Sequence, residues 1–244
     1  MKINEKKDLK AIIFDLDRTI FDWDKVQLLA RSKVNQILKY YDIHPHDFWI
    51  SYDKYHDQLF NWFLEQKMSL KEYRIARYYK PLEKFGIESE ELASQLNQTF
   101  VSYALNEAIF CKGVEQVLGH CKQYHVKKVI LTNGPAYGQR TKIKNLGLLD
   151  YIDEIYVSEE RGVAKPSEQA FLQICEDYSV EPQECLMVGD DIDVDILPAK
   201  KLGMHVFWVE NKSIPQKKDQ FISQPITDLI DYLEQFNIKS PSET

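Results

Sequence analysis

No two of the four cysteines, Cys111, Cys121, Cys175 and Cys185, stand at C-x-x-C spacing, and no histidine lies beside them at the distance a zinc site needs. That excludes a zinc-built core and a dithiol redox centre, and buried free thiols are expected instead. Long apolar runs are also missing. Nothing approaches a membrane span, and "MKINEKKDLKAIIF" carries charge where a signal peptide would be apolar. A cytoplasmic chain with no membrane partner is expected. Basic stripes are absent too: 31 Lys and Arg face 38 Asp and Glu, a formal charge of -7, and no run interleaves with aromatics. A nucleic-acid polymer is therefore a poor fit as partner. What remains is ordinary globular material. With 44% hydrophobic and 28% charged residues over 244 positions, the chain can bury one large core, or a core and a smaller companion domain.

Five short apolar runs read as strands: "LKAIIF", "KKVILTNG", "EIYVSE", "ECLMVGDD" and "MHVFWV". Between them lie the amphipathic segments "GVEQVLGHCKQY", "YGQRTKIKNLGL", "SEQAFLQICEDY" and "DVDILPAKKLG". Alternation of this kind predicts βαβ units and an α/β fold with a mostly parallel sheet covered on both faces. The stretch 23–104 breaks the rhythm, with apolar residues at helical spacing and no convincing strand. It is expected to be an all-helical insert, leaving 1–22 and 105–244 as the core domain. Such an insert suggests a lid over the sheet's C-terminal edge, where open α/β sheets bind ligands. Its many aromatics, Phe48, Trp49, Tyr52, Tyr55, Phe60, Trp62, Phe63, Tyr73, Tyr78 and Tyr79, are expected to pack helix on helix, with one or two left to line a pocket. Ser223 to Phe236 reads as a last helix and "NIKSPSET" as a frayed tail.

Chemistry-bearing residues recur at predicted strand ends. Asp15 and Asp17 in "FDLDRT" are two apart, and leaving the strand lets both carboxylates enter one pocket. Carboxylates that close repel, which raises a pKa or recruits a cation. "VGDDIDVD" adds Asp190, Asp191, Asp193 and Asp195 in a second loop, and together the loops offer oxygen ligands suited to Mg²⁺. Opposite in kind are "LTNG" and "GVAKP". Thr132, Asn133 and the backbone around Gly134 can hold phosphate oxygens, and Lys165 can balance the carboxylates while binding the same phosphate. An anion pocket beside a cation site is what phosphoryl transfer requires. Each piece alone has an ordinary reading as turn, cap or solvated charge. Ordered recurrence at successive strand ends is what favours one site.

"DLDRT", "LTNG", Lys165 in "GVAKP" and "GDDIDVD" together resemble the four motifs of the haloacid dehalogenase superfamily, in its phosphatase-like branch with a helical cap. The resemblance implies a Rossmann-like core and a Mg²⁺-dependent phosphomonoester hydrolase acting through an aspartyl-phosphate. Asp15 would be the nucleophile and Asp17 the general acid and base, with Thr132, Asn133 and Lys165 on the phosphate. The metal would take Asp15, the backbone carbonyl of Asp17 and Asp190, supported by Asp191 and Asp195, while Asp193 is left structural or solvated. Dehalogenases of the superfamily lack the second acid, because a halide leaves unprotonated, so Asp17 turns the reading away from them.

Arg18 stands where many relatives have Gly or Asp, and its side chain is expected to point away from the pocket or toward the cap. The core looks most like pyrimidine nucleotidases and acylneuraminate 9-phosphatases, which implies a small phosphorylated metabolite, a nucleoside monophosphate or a sugar phosphate, as substrate for a monomer or homodimer. Arg74 and Arg77, one helical turn apart, could offer charge to a leaving group or form a solvated pair. "TIFDW" is the expected hinge. Two other readings stay open: a phosphomutase using the same aspartate chemistry, and a non-catalytic binding protein on this fold.

Overall fold

Four apolar residues, Ala11–Phe14, form strand β1, and all four are buried, as a strand covered on both faces must be. The structure, a computed structural model, describes residues 7–211, 217–218 and 221–238. The chain divides by its internal contacts into two compact units: Trp23–Ala108, and the described parts of Met1–Asp22 and Ile109–Thr244.

In the second of these, β1 is joined by β2 (Lys127–Thr132), β3 (Glu154–Val157), β4 (Cys185–Gly189) and β5 (His205–Trp208). The order across the sheet is β3-β2-β1-β4-β5 and every pairing is parallel. The strands are those read from the apolar runs. Connection order reverses at β1, so the crevice beyond the C-terminal ends of β1 and β4 is the topological switch point, where such sheets hold ligands. One layer of the core gathers Ile13, Val129, Tyr156, Phe171, Ile174 and Met187 around the sheet. Helices α5 (Val114–Cys121), α6 (Ala136–Asn145), α7 (Ser158–Arg161), α8 (Glu168–Tyr178), α9 (Leu197–Lys201) and α10 (Leu229–Leu233) belong to this unit.

Two expectations need correcting here. "DVDILPAKKLG" does not run as one α-helix: Ile192–Ile196 is a π-turn that leads into α9. Ser223 to Phe236 is broken into the 3₁₀ turn Ile226–Asp228, the short α10 and a two-residue strand, Phe236–Asn237, paired with Lys7–Asp8. Pro225 lies inside the predicted helix; it withholds an N–H and pushes the residue before it out of the helical region. Within "NIKSPSET", residues 239–244 lie outside the described residues. All four cysteines are free thiols, with Cys121, Cys175 and Cys185 buried and Cys111 half-buried.

The helical unit consists of α1 (Trp23–Tyr40), α2 (Pro45–Leu64), α3 (Leu70–Glu83) and α4 (Glu90–Asn106). Local chemistry sets its starts. Pro45 opens α2; Ser69 and Glu72 form a capping box on α3; the Ser89 hydroxyl accepts from the Leu92 N–H at the start of α4. Phe48, Trp49, Tyr52, Phe63, Tyr73 and Tyr78 are buried and pack helix on helix, Tyr55, Phe60 and Tyr79 are half-buried, and Trp62 is exposed. No described helix is long and apolar enough to cross a membrane.

The insertion leaves the α/β unit through a narrow joint. Cys111 N–H donates to the Ile20 carbonyl at 2.8 Å and Asp22 N–H to the Ile109 carbonyl at 2.8 Å, with Phe21 bridging Phe110 in antiparallel fashion.

Candidate active site

Asp15 N–H still donates into the sheet, to the Val188 carbonyl at 2.9 Å. The chain then turns back sharply, the Leu16 carbonyl accepting from both Ile20 and Phe21 N–H groups. Arg18 supports that turn at φ +68°, a left-handed conformation that costs a non-glycine residue about 1 kcal/mol. Beyond β4 the Asp191 carboxylate accepts from the N–H groups of Asp193 and Val194 at 2.9 and 3.0 Å, capping the π-turn. That turn folds Asp195 back over the strand end. A Cβ on Gly189 would lie 2.6 Å from both Cβ and Cγ of Asp195, so the close approach requires glycine there.

Lys165 closes the arrangement from the loop after α7. Its ammonium donates to Asp15 Oδ1 at 2.6 Å and to Asp195 Oδ1 at 2.7 Å, with all three residues buried. Asn133 holds that loop as a strand neighbour would: its Nδ2 donates to the Lys165 carbonyl at 2.8 Å and its Oδ1 accepts from Lys165 N–H at 3.0 Å. Asp190 accepts from neutral donors, the Asn211 amide at 2.7 Å and the Thr19 hydroxyl at 3.4 Å, while Trp208 Nε1 donates to its backbone carbonyl.

Among the described residues, Asp15, Asp190 and Asp195 place carboxylate oxygens within 4.8 Å of one another, a group able to hold a divalent metal ion. Burial raises the pKa of all three. For Asp15 the Lys165 ammonium opposes that rise; for Asp190 the charges of Asp15 and Asp195 add to it; and Asp195 is pushed up to about 7 by burial, against the pull of Lys165. Burial works to lower the Lys165 pKa, but the two carboxylates outweigh it and raise it. Three carboxylates against one ammonium leave an excess of buried negative charge, and all-oxygen donors suit a hard cation. The residues present therefore fit such an ion.

A pH experiment follows from these directions. With its folded-state pKa near 7 rather than 3.8, Asp195 keeps its proton in the folded chain across roughly pH 4–7 and loses it in the unfolded chain. Protons then favour the folded state, so this contribution to stability falls as pH rises through that window. Burial depresses the His205 pKa and acts in the opposite sense, but the residue sits on β5. Comparing melting curves with and without Mg²⁺ isolates the carboxylates. The stabilisation by Mg²⁺ should grow from pH 5 to pH 8, reaching on the order of 5 °C at saturation. A gain that shrinks with rising pH would contradict the assignment of this cluster.

The structure gathers Asp15, Asp17, Thr132, Lys165, Asp190 and Asp195 at the strand ends but uses others differently. Asp191 caps the turn, its Oδ1 taken by the two N–H groups. Asp195, expected as support, joins the carboxylate group itself. Asn133 spends its side chain on Lys165, and Gly134 N–H donates to Ser158 Oγ at 3.0 Å instead of being left for a phosphate. Arg18, expected to point away from the pocket or toward the cap, lies close enough to Asp190 to favour its charged form. Asp193 is exposed. In the helical unit, Arg74 is half-buried, and Arg77 turns inward, donating to Asn97 Oδ1 at 2.6 Å and to Tyr73 Oη at 3.2 Å. Thr19 lies inside the "DLDRT" motif but has no role assigned from the sequence, while Gln139, Lys142 and Asn211 carry no strand-end signal of their own and emerge only from the fold.

The sequence profile of haloacid dehalogenase-like hydrolases matches residues 9–203. The mouse N-acylneuraminate-9-phosphatase is 26% identical over 209 residues, covering 84% of each chain. The glyceraldehyde 3-phosphate phosphatase of Pyrococcus abyssi is 28% identical over 200 residues, covering 82% of this chain and 81% of its own. In fold, the chain is similar to the magnesium-bound crystal structure of the HAD-hydrolase YfnB of Bacillus subtilis, with a TM-score of 0.75, 22% identity, and coverage of 93% and 98%. A match over most of the chain, on a parallel sheet with an inserted helical unit and a tri-aspartate group at its switch point, makes this protein a member of the haloacid dehalogenase-like hydrolase family.

Proposed function

We propose that the chain is a Mg²⁺-dependent phosphomonoesterase of small phosphorylated metabolites, sugar phosphates or nucleoside monophosphates, working through an aspartyl-phosphate. The observation that carries this reading is a second carboxylate, Asp17, held two residues beyond the buried Asp15 and hydrogen-bonded to Gln139 and Lys142. A leaving alkoxide needs a proton, and a halide does not.

Asp15 Oδ attacks phosphorus, the bond to the leaving oxygen breaks, and Asp17 gives that oxygen its proton. Asp17 then takes a proton from water, the water oxygen attacks phosphorus, and the bond to Asp15 breaks to release phosphate. Lys165, pinned between Asp15 and Asp195, keeps Asp15 aligned and balances charge on the phosphoryl oxygens. Gln139 Nε2 donates to Thr132 Oγ1, so the threonine's own hydroxyl proton is available to a phosphoryl oxygen. Asp15 and Asp190, with the Asp17 backbone carbonyl, would hold the metal beside Asp195. Bound there, Mg²⁺ neutralises the excess carboxylate charge and that of the incoming phosphate. Relatives named for phosphates of N-acylneuraminate and glyceraldehyde support a phosphate carried on a small polyhydroxylated compound.

The test is release of inorganic phosphate from a panel of nucleoside monophosphates, sugar phosphates and short alkyl phosphates, with Mg²⁺ and with a chelator. Release is expected on at least one class and is expected to stop on chelation. No release from any ester would sink the reading.

A further inference from the structure

α6 carries two side chains that the sheet-end motifs do not account for. Gln139 and Lys142 stand three apart, hence on one helical face, and both are nearly sealed from solvent, at 2% and 6% exposure. Buried lysines are uncommon and need a partner. Here the Lys142 ammonium donates to Asp17 Oδ1 at 2.7 Å, to Asp17 Oδ2 at 2.9 Å and to Gln139 Oε1 at 2.9 Å, with the Phe21 ring 5.1 Å away. The two hydrogens of Gln139 Nε2 serve three acceptors, Asp17 Oδ2 at 2.9 Å, Thr132 Oγ1 and the Asn133 carbonyl at 3.2 Å, so one hydrogen is shared. The amide can face only one way in this network, its oxygen toward the ammonium and its nitrogen toward the carboxylate.

We propose that Gln139 and Lys142 are positioning residues that clamp the Asp17 carboxylate in register with Thr132. Resting on the phosphatase reading, this adds a second electrostatic pair to the site: Lys165 serves Asp15, and Lys142 serves Asp17. The carboxylate is 27% exposed at the mouth of a turn and would otherwise be free to rotate. Three hydrogen bonds from these two side chains fix both of its oxygens, and Gln139 ties them to the threonine expected to hold the phosphoryl group. Proton delivery and phosphate placement are thus set by one helix. A proton donor misplaced by even an ångström is a poor one.

An ion pair that merely fastened α6 to the turn would slow every substrate alike. A clamp on the proton donor slows those esters whose leaving group needs the proton. The experiment compares 4-nitrophenyl phosphate, whose leaving group departs unaided, with phenyl phosphate, following kcat/KM, which reports the steps through bond cleavage. Lys142→Met should lose about 100-fold on phenyl phosphate and less than about tenfold on 4-nitrophenyl phosphate, the pattern of Asp17→Asn. In Asp17→Asn the further change Lys142→Met should cost almost nothing, because there is no carboxylate left to place. Circular dichroism monitors folding. If Lys142→Met does not fold, Gln139→Leu, which leaves the ion pair, should show the same dependence with about a tenfold loss on phenyl phosphate. Equal losses on both esters, or additive losses in the double variant, overturn the clamp and leave the phosphatase reading standing. A wild-type protein that releases phosphate neither from these two esters nor from any ester of the panel overturns both.

Discussion

Asp15→Asn should lower phosphate release by about 10⁴-fold or more while leaving the fold intact. The size follows from what is removed. An amide oxygen cannot form the phosphoryl intermediate, so the two-step route closes rather than slows. The fold should survive because the substitution relieves repulsion: Asp15 is buried among Asp190 and Asp195, and Lys165 still has Asp195 at 2.7 Å. Melting should stay within a few degrees of wild type or rise. Stopped assays on the best ester of the panel, with thermal melts of both proteins, decide it. A variant that keeps more than about a tenth of the activity would mean that Asp15 is not the nucleophile.

Lys165→Met is the largest expected effect on stability. The substitution keeps the volume and the stem but withdraws the one ammonium that Asp15 and Asp195 share, leaving two buried carboxylates without their counter-charge. Breaking a buried pair in this way costs about 3–5 kcal/mol. The loss should be greatest in metal-free protein above neutral pH, where the carboxylates must ionise, and smaller at pH 5, where they can stay protonated. Denaturant titration at the two pH values, with and without Mg²⁺, measures it. If the loss proves independent of pH, the lysine matters for packing and not for charge.

Much of the site was legible in the sequence because it obeys a local rule: an apolar run ends and a chemistry-bearing residue follows. Asp15, Thr132 and Asp190 all have that form, and parallel pairing of β1 with β2 and β4 brings them together. The acidic loop was harder. Asp191, Asp193 and Asp195 look alike in a string of carboxylates, and only the π-turn separates a cap from an exposed residue and from the one folded over Gly189. Lys142 was illegible for a different reason. On an amphipathic helix a lysine reads as solvated, and nothing local reveals that its face meets the turn after β1. Arg77 is the same case in the helical unit, where an apparent surface pair hid a guanidinium turned onto Asn97 and Tyr73. Long-range pairing of polar groups leaves no periodicity to read, whereas apolar burial does.

The joint at Ile20–Asp22 and Ile109–Cys111 has a consequence beyond architecture. There the α/β unit's own hydrogen bonds close the gap across which the helices are inserted. To that unit, the helices are one long loop whose ends are already tied, and the entropy of such a loop grows only slowly with its length. Segments can be lengthened, shortened or exchanged at this point without disturbing the turn that carries Asp15 and Asp17. Selection can therefore rewrite the inserted segment at a pace the strand ends do not share, a route by which one hydrolytic chemistry spreads over many metabolites.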